Sequence, residues 1–235
     1  MKSLLLGSAA LALSATFAMA DTIRLGTEGG YPPYNFINDA GEVDGFEREL
    51  GDELCKRAEL TCEWVTNDWD SIIPNLLSGN YDAIIAGMSI TDERKEVVAF
   101  TEGYTLPSPS AYAAKSEGLD VNASVVAAQS GTIQAAHVAE SGATLVEFPT
   151  PDETIAAVNS GEVDVVMADK DFLAPIVEET DLVFLGDVYL GGGIGMAFRQ
   201  SDDELRGKFD AAIASMKEDG TLNEMLDKWE IEGKF

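Results

Sequence analysis

The chain has 235 residues, a formal net charge of −27 at pH 7 and an apolar fraction of 46%. Such a negative balance repels phosphate backbones and excludes nucleic acid as a partner, while the apolar share is far too high for a disordered acidic chain. The charge therefore belongs on the surface of a folded body, where it aids solubility and attracts cations.

Lys2, the apolar run LLLGSAALALSATF and the small-residue site Ala18-Met19-Ala20 read as a secretory signal peptide over residues 1–20, cleaved after Ala20. A Gram-negative periplasm is the expected address. No cysteine follows the cleavage point for lipid attachment, and no later apolar run is long enough to span a bilayer. The two cysteines, Cys55 and Cys62, are expected to form a disulfide in an oxidising compartment, with two buried free thiols as the alternative.

Thr22 to Thr27 alternates as a first strand. Glu28 to Tyr34, with two glycines and two prolines, is expected to be irregular, and Asn38 to Gly41 reads as a turn. Phe46, Leu50, Leu54 and Ala58 fall on one helical face, and Cys62 to Thr66 is a second strand. Asp70 to Leu77 is a short helix ending at Gly79.

The chain is organised around Asp82 to Phe100, DAIIAGMSITDERKEVVAF. The apolar run Ala83 to Ala86 suits a strand buried on both faces of a parallel sheet, broken at Gly87. Thr91 caps a following helix, Asp92 and Glu93 favour its first turn, and Arg94 takes its third position. A guanidinium fork, the Ser89 hydroxyl and unpaired backbone donors then converge where a strand ends and a helix begins, which outlines a carboxylate pocket. The plainer alternative has Arg94 answering Asp92, Glu93 or Glu96 on a solvated helix.

A weak internal repeat relates Ile72–Gly87 to Thr154–Asp169 at an offset of 82 residues, each copy giving a helix, a Ser-Gly turn and a buried strand. The second helix opens with Thr150-Pro151-Asp152-Glu153, an N-cap, a first-position proline and a capping-box glutamate. Its strand, VVMA, ends at Asp169, a carboxylate costly to bury unless a cation or donor meets it. Two lobes of similar construction follow, with crossings at Tyr104–Ser110 and at the glycine run of Tyr189–Gly195. That run lacks the Lys-Ser/Thr of a phosphate loop. Ser201–Glu204 and Thr221–Glu224 read as capping boxes of two C-terminal helices that pack on the first lobe. His137 is expected on a helix surface, and neither it nor the cysteines have metal-ligand spacing.

The ordered series YPPYNF, DGFEREL, DWDSIIPNLLSGNYDAIIAGMSIT with Arg94, AFTEGY, QSGT, VDVVMAD and EDGTLNEML resembles the periplasmic solute-binding proteins of polar amino acid ABC transporters. TEGGYPPYNF, NDWDSIIP and CKRAELTC look closest to the branch that binds lysine, arginine, ornithine, histidine or opines. The resemblance implies an α/β, two-lobed type II binding-protein fold with two crossover strands as a hinge and ligand in the interlobe cleft. Residues 21–108 and 191–235 would form the first lobe and residues 109–190 the second. It further implies a monomer without cofactor or metal, serving a membrane permease.

Carried over by resemblance, Arg94 holds the ligand α-carboxylate with Ser89 and Thr132, and Asp169 accepts the α-ammonium. Tyr31 and Trp69 flank the side chain, and Glu28 faces its distal end. Ala86, Gly87 and Ile133 stand where relatives often carry hydroxyls, which leaves room for a bulkier ligand, while Gly87 still offers backbone groups. The alternatives are a cyclohexadienyl dehydratase-like enzyme, for which Glu28 is the one candidate acid, and a sensor module. The chain ends at Phe235 without a signalling domain, so a free-standing receptor is expected.

Overall fold

The computed structural model describes residues 22–235; the signal-peptide reading falls outside the described residues. Strand β1 (Ile23–Thr27) has Leu25 and Thr27 fully buried, and Gly26 lets the Tyr81 ring lie against the backbone, where a Cβ would sit 2.6 Å from it. A small antiparallel sheet follows, made of β2 (Gly30–Tyr31), β3 (Asn35–Ile37) and β4 (Val43–Asp44). The stretch Glu28–Tyr34 is thus not wholly irregular, because the ladder takes in Gly30 and Tyr31 and leaves both prolines in the turn. Helix α1 (Phe46–Arg57) leads to β5 (Cys62–Thr66), and the Cys55–Cys62 disulfide ties the two with a Cα separation of 6.3 Å.

One 3-10 turn, Trp69–Ser71, precedes α2 (Ile72–Leu77), and β6 (Ala83–Ile84), α3 (Asp92–Lys95) and β7 (Ala99–Phe100) complete the first pass. The second body comprises β8 (Pro109–Ala114), β9 (Val125–Gln129), α4 (Ile133–Ala139), β10 (Thr144–Phe148), α5 (Pro151–Ser160), β11 (Val165–Asp169), α6 (Lys170–Glu179) and β12 (Val183–Tyr189). The chain then returns through β13 (Ala197–Phe198), α7 (Asp203–Glu218) and α8 (Thr221–Lys228).

Each lobe is a five-stranded sheet covered by helices. The orders are β5-β1-β6-β13-β7 and β10-β9-β11-β8-β12. Neither sheet is purely parallel, since β13 runs against β6 and β7, and β8 runs against β11 and β12. Although Ala83 to Ala86 are all buried, only Ala83 and Ile84 form ladder pairs, with parallel β1 on one side and antiparallel β13 on the other. The expected parallel strand is therefore shorter and the sheet mixed, because the returning chain supplies a neighbour from far along the sequence.

Phe46, Leu50 and Leu54 of α1 pack with Phe209, Ile213, Met216, Leu222 and Leu226 of α7 and α8 against Leu25 and Phe198. Each such side chain contributes about 1.5–3 kcal/mol on burial, so the C-terminal helices belong firmly to the first lobe. Ile72, Leu76, Tyr81 and Met88 form its opposite layer. In the second lobe Ala157, Val158, Phe172 and Leu173 cover one sheet face and Val138 helps cover the other.

The two crossings pair with each other: Tyr104 N–H donates to Ile194 O at 2.8 Å, and Ile194 N–H donates to Thr105 Oγ1 at 3.1 Å. Gly193, at φ +88°, packs so closely on Thr105 O that a Cβ would collide with it.

Capping matches expectation at α3 and α5, where Thr91 and Thr150 each accept a backbone N–H and Thr150 forms a full box with Glu153, and Thr132 caps α4 in the same way. It differs at the tail. Ser201 donates instead to Asp202, whose side chain makes no cap bond to α7, and Thr221 lies inside α8, after a left-handed Gly220. Thr221 Oγ1 is taken by Asp219 and Arg57, and that tie to α1 replaces the box.

Candidate functional site

Between the lobes lies a half-open, narrow cavity. Glu28, Tyr31, Trp69, Gly87, Ser89, Arg94, Thr132 and Asp169 all line it, joined by Ala86, Gln129, Ile133, Gln134, Pro151, Thr154, Met167 and Ala168. The two related helix–turn–strand units deliver Gly87 and Asp169 to opposite walls, each strand pointing its C-terminal end at the cleft.

Arg94 turns away from its own helix. Asp92 pairs with Lys95 at 3.1 Å, while Arg94 Nη1 donates to Ser89 O at 2.9 Å and Nη2 to Gly131 O at 3.2 Å. The guanidinium also stacks 5.4 Å from the Trp69 ring centre, so Trp69 steadies Arg94 as well as lining the cavity. Burial lowers the Arg94 pKa to about 10, still charged at neutral pH.

Asp169 closes β11 on the facing wall. Its Oδ2 accepts from the Tyr31 hydroxyl at 2.9 Å and its Oδ1 from Gln134 Nε2 at 2.8 Å and Ser110 Oγ at 3.3 Å. Burial raises its carboxyl to about 6, against the pull of these donors. The Tyr31 ring stacks on Phe172 at 4.4 Å, which fixes the hydroxyl that reaches Asp169. Glu28 accepts from Gln129 Nε2 at 2.6 Å, and burial, aided by Asp68, Asp70 and Asp152, pushes its carboxyl up to about 7. The cavity therefore sets one guanidinium against two carboxylates, neither of which forms a direct ion pair among the described residues.

Some expected donors are already committed. Gly87 N–H, expected to serve the cleft, donates to Glu47 Oε1 at 2.6 Å, because Glu47 is fully buried directly behind it. Thr132 Oγ1 accepts from Ala135 N and donates to Gln129 O at 2.6 Å, so its hydroxyl is occupied in capping α4. His137 is half-buried beside Tyr112 rather than on the surface, since its helix lies against the sheet.

The model of the bacterial extracellular solute-binding proteins, family 3, matches residues 23–232. The chain belongs to this family. It is 33% identical to the L-arginine-binding protein of Pseudomonas aeruginosa over 97% of this chain and 96% of that one. It is 30% identical to the lysine/arginine/ornithine-binding periplasmic protein of Escherichia coli over 97% and 94%. Among solved structures it resembles a periplasmic His/Glu/Gln/Arg/opine family-binding protein from Silicibacter pomeroyi in complex with lysine, at 72% identity and TM-score 0.87, covering 88% of this chain and 96% of that one. As in that family, this solute-binding protein has two lobes facing a shared cleft.

Glu47, Gln129 and Gln134 escaped sequence reasoning. Glu47 accepts from Gly87 N–H, Asn35 Nδ2 and the Tyr104 hydroxyl, and Asn35 Oδ1 in turn accepts from Gly29 N–H. One buried carboxylate thus braces the two first-lobe loops at the cavity and the outward crossing. A helix pattern gives no sign of that. Gln129 did carry a signal: it ends the apolar run VVAA as Asp169 ends VVMA.

Proposed function

We propose that this solute-binding protein is the periplasmic receptor of an ABC importer for a basic amino acid: arginine, lysine, ornithine or histidine. The observation that carries the reading is the count and placement of charge in the cavity. Arg94 suits the α-carboxylate as a fork, assisted by Ser89, and Asp169 suits the α-ammonium. Glu28 is then a carboxylate in excess, and Trp69 and Tyr31 add aromatic surface to the same cavity wall. Relatives named for arginine and lysine support the same class.

In this reading residues 1–20 are a signal peptide removed after Ala20, residues 21–108 and 191–235 form the first lobe, and residues 109–190 form the second. The receptor acts as a monomer, closes on its ligand and presents the closed form to a membrane permease. A dehydratase is not favoured: the relatives compared are named as binding proteins, and Glu28 is held by Gln129.

The test is to unfold the purified protein, identify the released small molecule by mass spectrometry, refold, and titrate a panel of amino acids calorimetrically. A basic amino acid released and bound most tightly supports the reading. A preference for a neutral or acidic amino acid, or turnover of prephenate or arogenate, overturns it.

A further inference from the structure

Gln129 is the last residue of β9 and is 7% exposed. Its Nε2 donates twice, to Pro149 O at 3.1 Å and to Glu28 Oε1 at 2.6 Å. Both partners can only accept when Glu28 is ionised, which identifies the nitrogen end of the amide. Pro149 immediately precedes the capping box of α5, so the side chain is anchored in the second lobe and reaches into the first.

The neighbouring residues do the same. Ser130 Oγ donates to Asp70 Oδ1 at 3.0 Å, and Gly131 O accepts from Arg94 at 3.2 Å. Gly131, at φ +70°, lies beside the Trp69 ring. Residues 129–131 thus form three successive contacts with the opposite lobe, and a separation of the lobes would break all three.

The surroundings of Glu28 oppose its charge. Asp68, after β5, and Asp70, in the 3-10 turn, approach from its own lobe, and Asp152, in the first turn of α5, approaches from the other. Arg94 and Asp169 share the cavity, and Gln129 is the group that favours the ionised form.

We propose that Gln129 is a positioning residue for cation recognition: it fixes Glu28 across the closed cleft, so that discrimination between cationic and neutral side chains is completed only on closure. The inference rests on the basic-ligand reading above. A cationic side chain gains from a carboxylate held ionised and in place, whereas a neutral one does not. Selectivity is thereby tied to the closed form, the one a permease would meet.

The experiment compares wild type with Gln129→Leu and the near-isosteric Gln129→Met, each stripped of ligand by unfolding and refolded. Lysine, arginine and glutamine are titrated between pH 5.5 and 8.5. Loss of a hydrogen bond to a charged group should weaken lysine and arginine binding about tenfold or more, with glutamine changed by less than about threefold. The pH below which lysine affinity declines should move upward, a shift that simple loss of packing would not produce. In a Glu28→Gln background, Gln129→Leu should cost lysine little more, since the residue acts through Glu28.

A wild type with no preference for basic amino acids overturns the proposed function itself. A wild type that prefers them, with variants that retain both that preference and the wild-type pH profile, overturns this inference alone. Gln129→Met guards against a folding defect in Gln129→Leu, and equal melting temperatures of the unliganded proteins establish that the fold is intact.

Discussion

Tyr34 and Asp171 meet across the cleft, the phenolic hydroxyl donating to Asp171 Oδ2 at 2.8 Å with both side chains buried and neither lining the ligand cavity. Glu232 N–H donates to the other oxygen at 3.4 Å. Asp171 sits in the first turn of α6, while Tyr34 and Glu232 belong to the first-lobe segments. The lobes are therefore held together by a contact that needs no ligand. Tyr34→Phe should shift the unliganded protein toward the open form and weaken every ligand by a similar factor, about tenfold for a lost bond worth about 1–2 kcal/mol. A larger radius of gyration without ligand, with an unchanged ranking of ligands, is the expected result in scattering and calorimetry.

Arg94→Ala should abolish useful affinity for every amino acid tested, and Arg94→Lys should recover little, because an ammonium cannot reproduce the fork or stack on Trp69 in the same way. Removing one partner of a buried charged pair costs about 2–5 kcal/mol, so affinity should fall roughly thirtyfold or more. Calorimetry on folded variants, verified by their circular dichroism, measures the loss.

Glu28→Gln should act on ligand choice rather than on binding in general. Lysine and arginine lose a carboxylate partner, while glutamine keeps Arg94 and Asp169. The ratio of lysine to glutamine affinity should fall on the order of tenfold. Asp169→Asn, in contrast, should weaken both, because the α-ammonium is common to all amino acids.

Much of this site was legible because strand ends announce themselves. Asp169 stands where the run VVMA stops, Arg94 lies in the capped turn that follows the run Ala83 to Ala86, and both reach the cavity. Long-range pairing was not legible. The short β6, with β13 as its antiparallel neighbour, depends on a chain return more than a hundred residues later. The same holds for the commitments of Gly87 and Thr221, whose partners Glu47 and Arg57 sit on α1. A local pattern cannot report a donor already spent on a distant acceptor.

Cys55 and Cys62 enclose a short loop. Chain-entropy reasoning gives such a bridge about 2–3 kcal/mol. Replacing both cysteines with alanine should lower the melting temperature by about 4–10 °C while leaving ligand ranking unchanged, since the bridge lies outside the cavity lining. Intact-mass measurement before and after reduction verifies the bond.

The pH dependence of binding follows from the two raised carboxyls. In the protein without ligand, burial holds Glu28 near 7 and Asp169 near 6, above the usual carboxylate values of about 4. A cationic ligand requires both to be ionised. Below about pH 7, binding must therefore expel a proton from Glu28, and affinity for lysine or arginine should fall by up to about tenfold per pH unit, more steeply below about pH 6 as Asp169 joins. For folding the sign is opposite. A carboxyl whose folded-state pKa is raised contributes stability that is fully present below its unfolded value and lost as pH rises through 6 to 7. The unliganded protein thus loses this contribution on approach to neutrality, where the ligand binds best and restores it by mass action. The ligand-induced rise in melting temperature should accordingly grow between pH 5 and 8. Calorimetry at pH 6.5 in two buffers of different ionisation enthalpy should show a net proton released per lysine bound, and Glu28→Gln should remove most of that release.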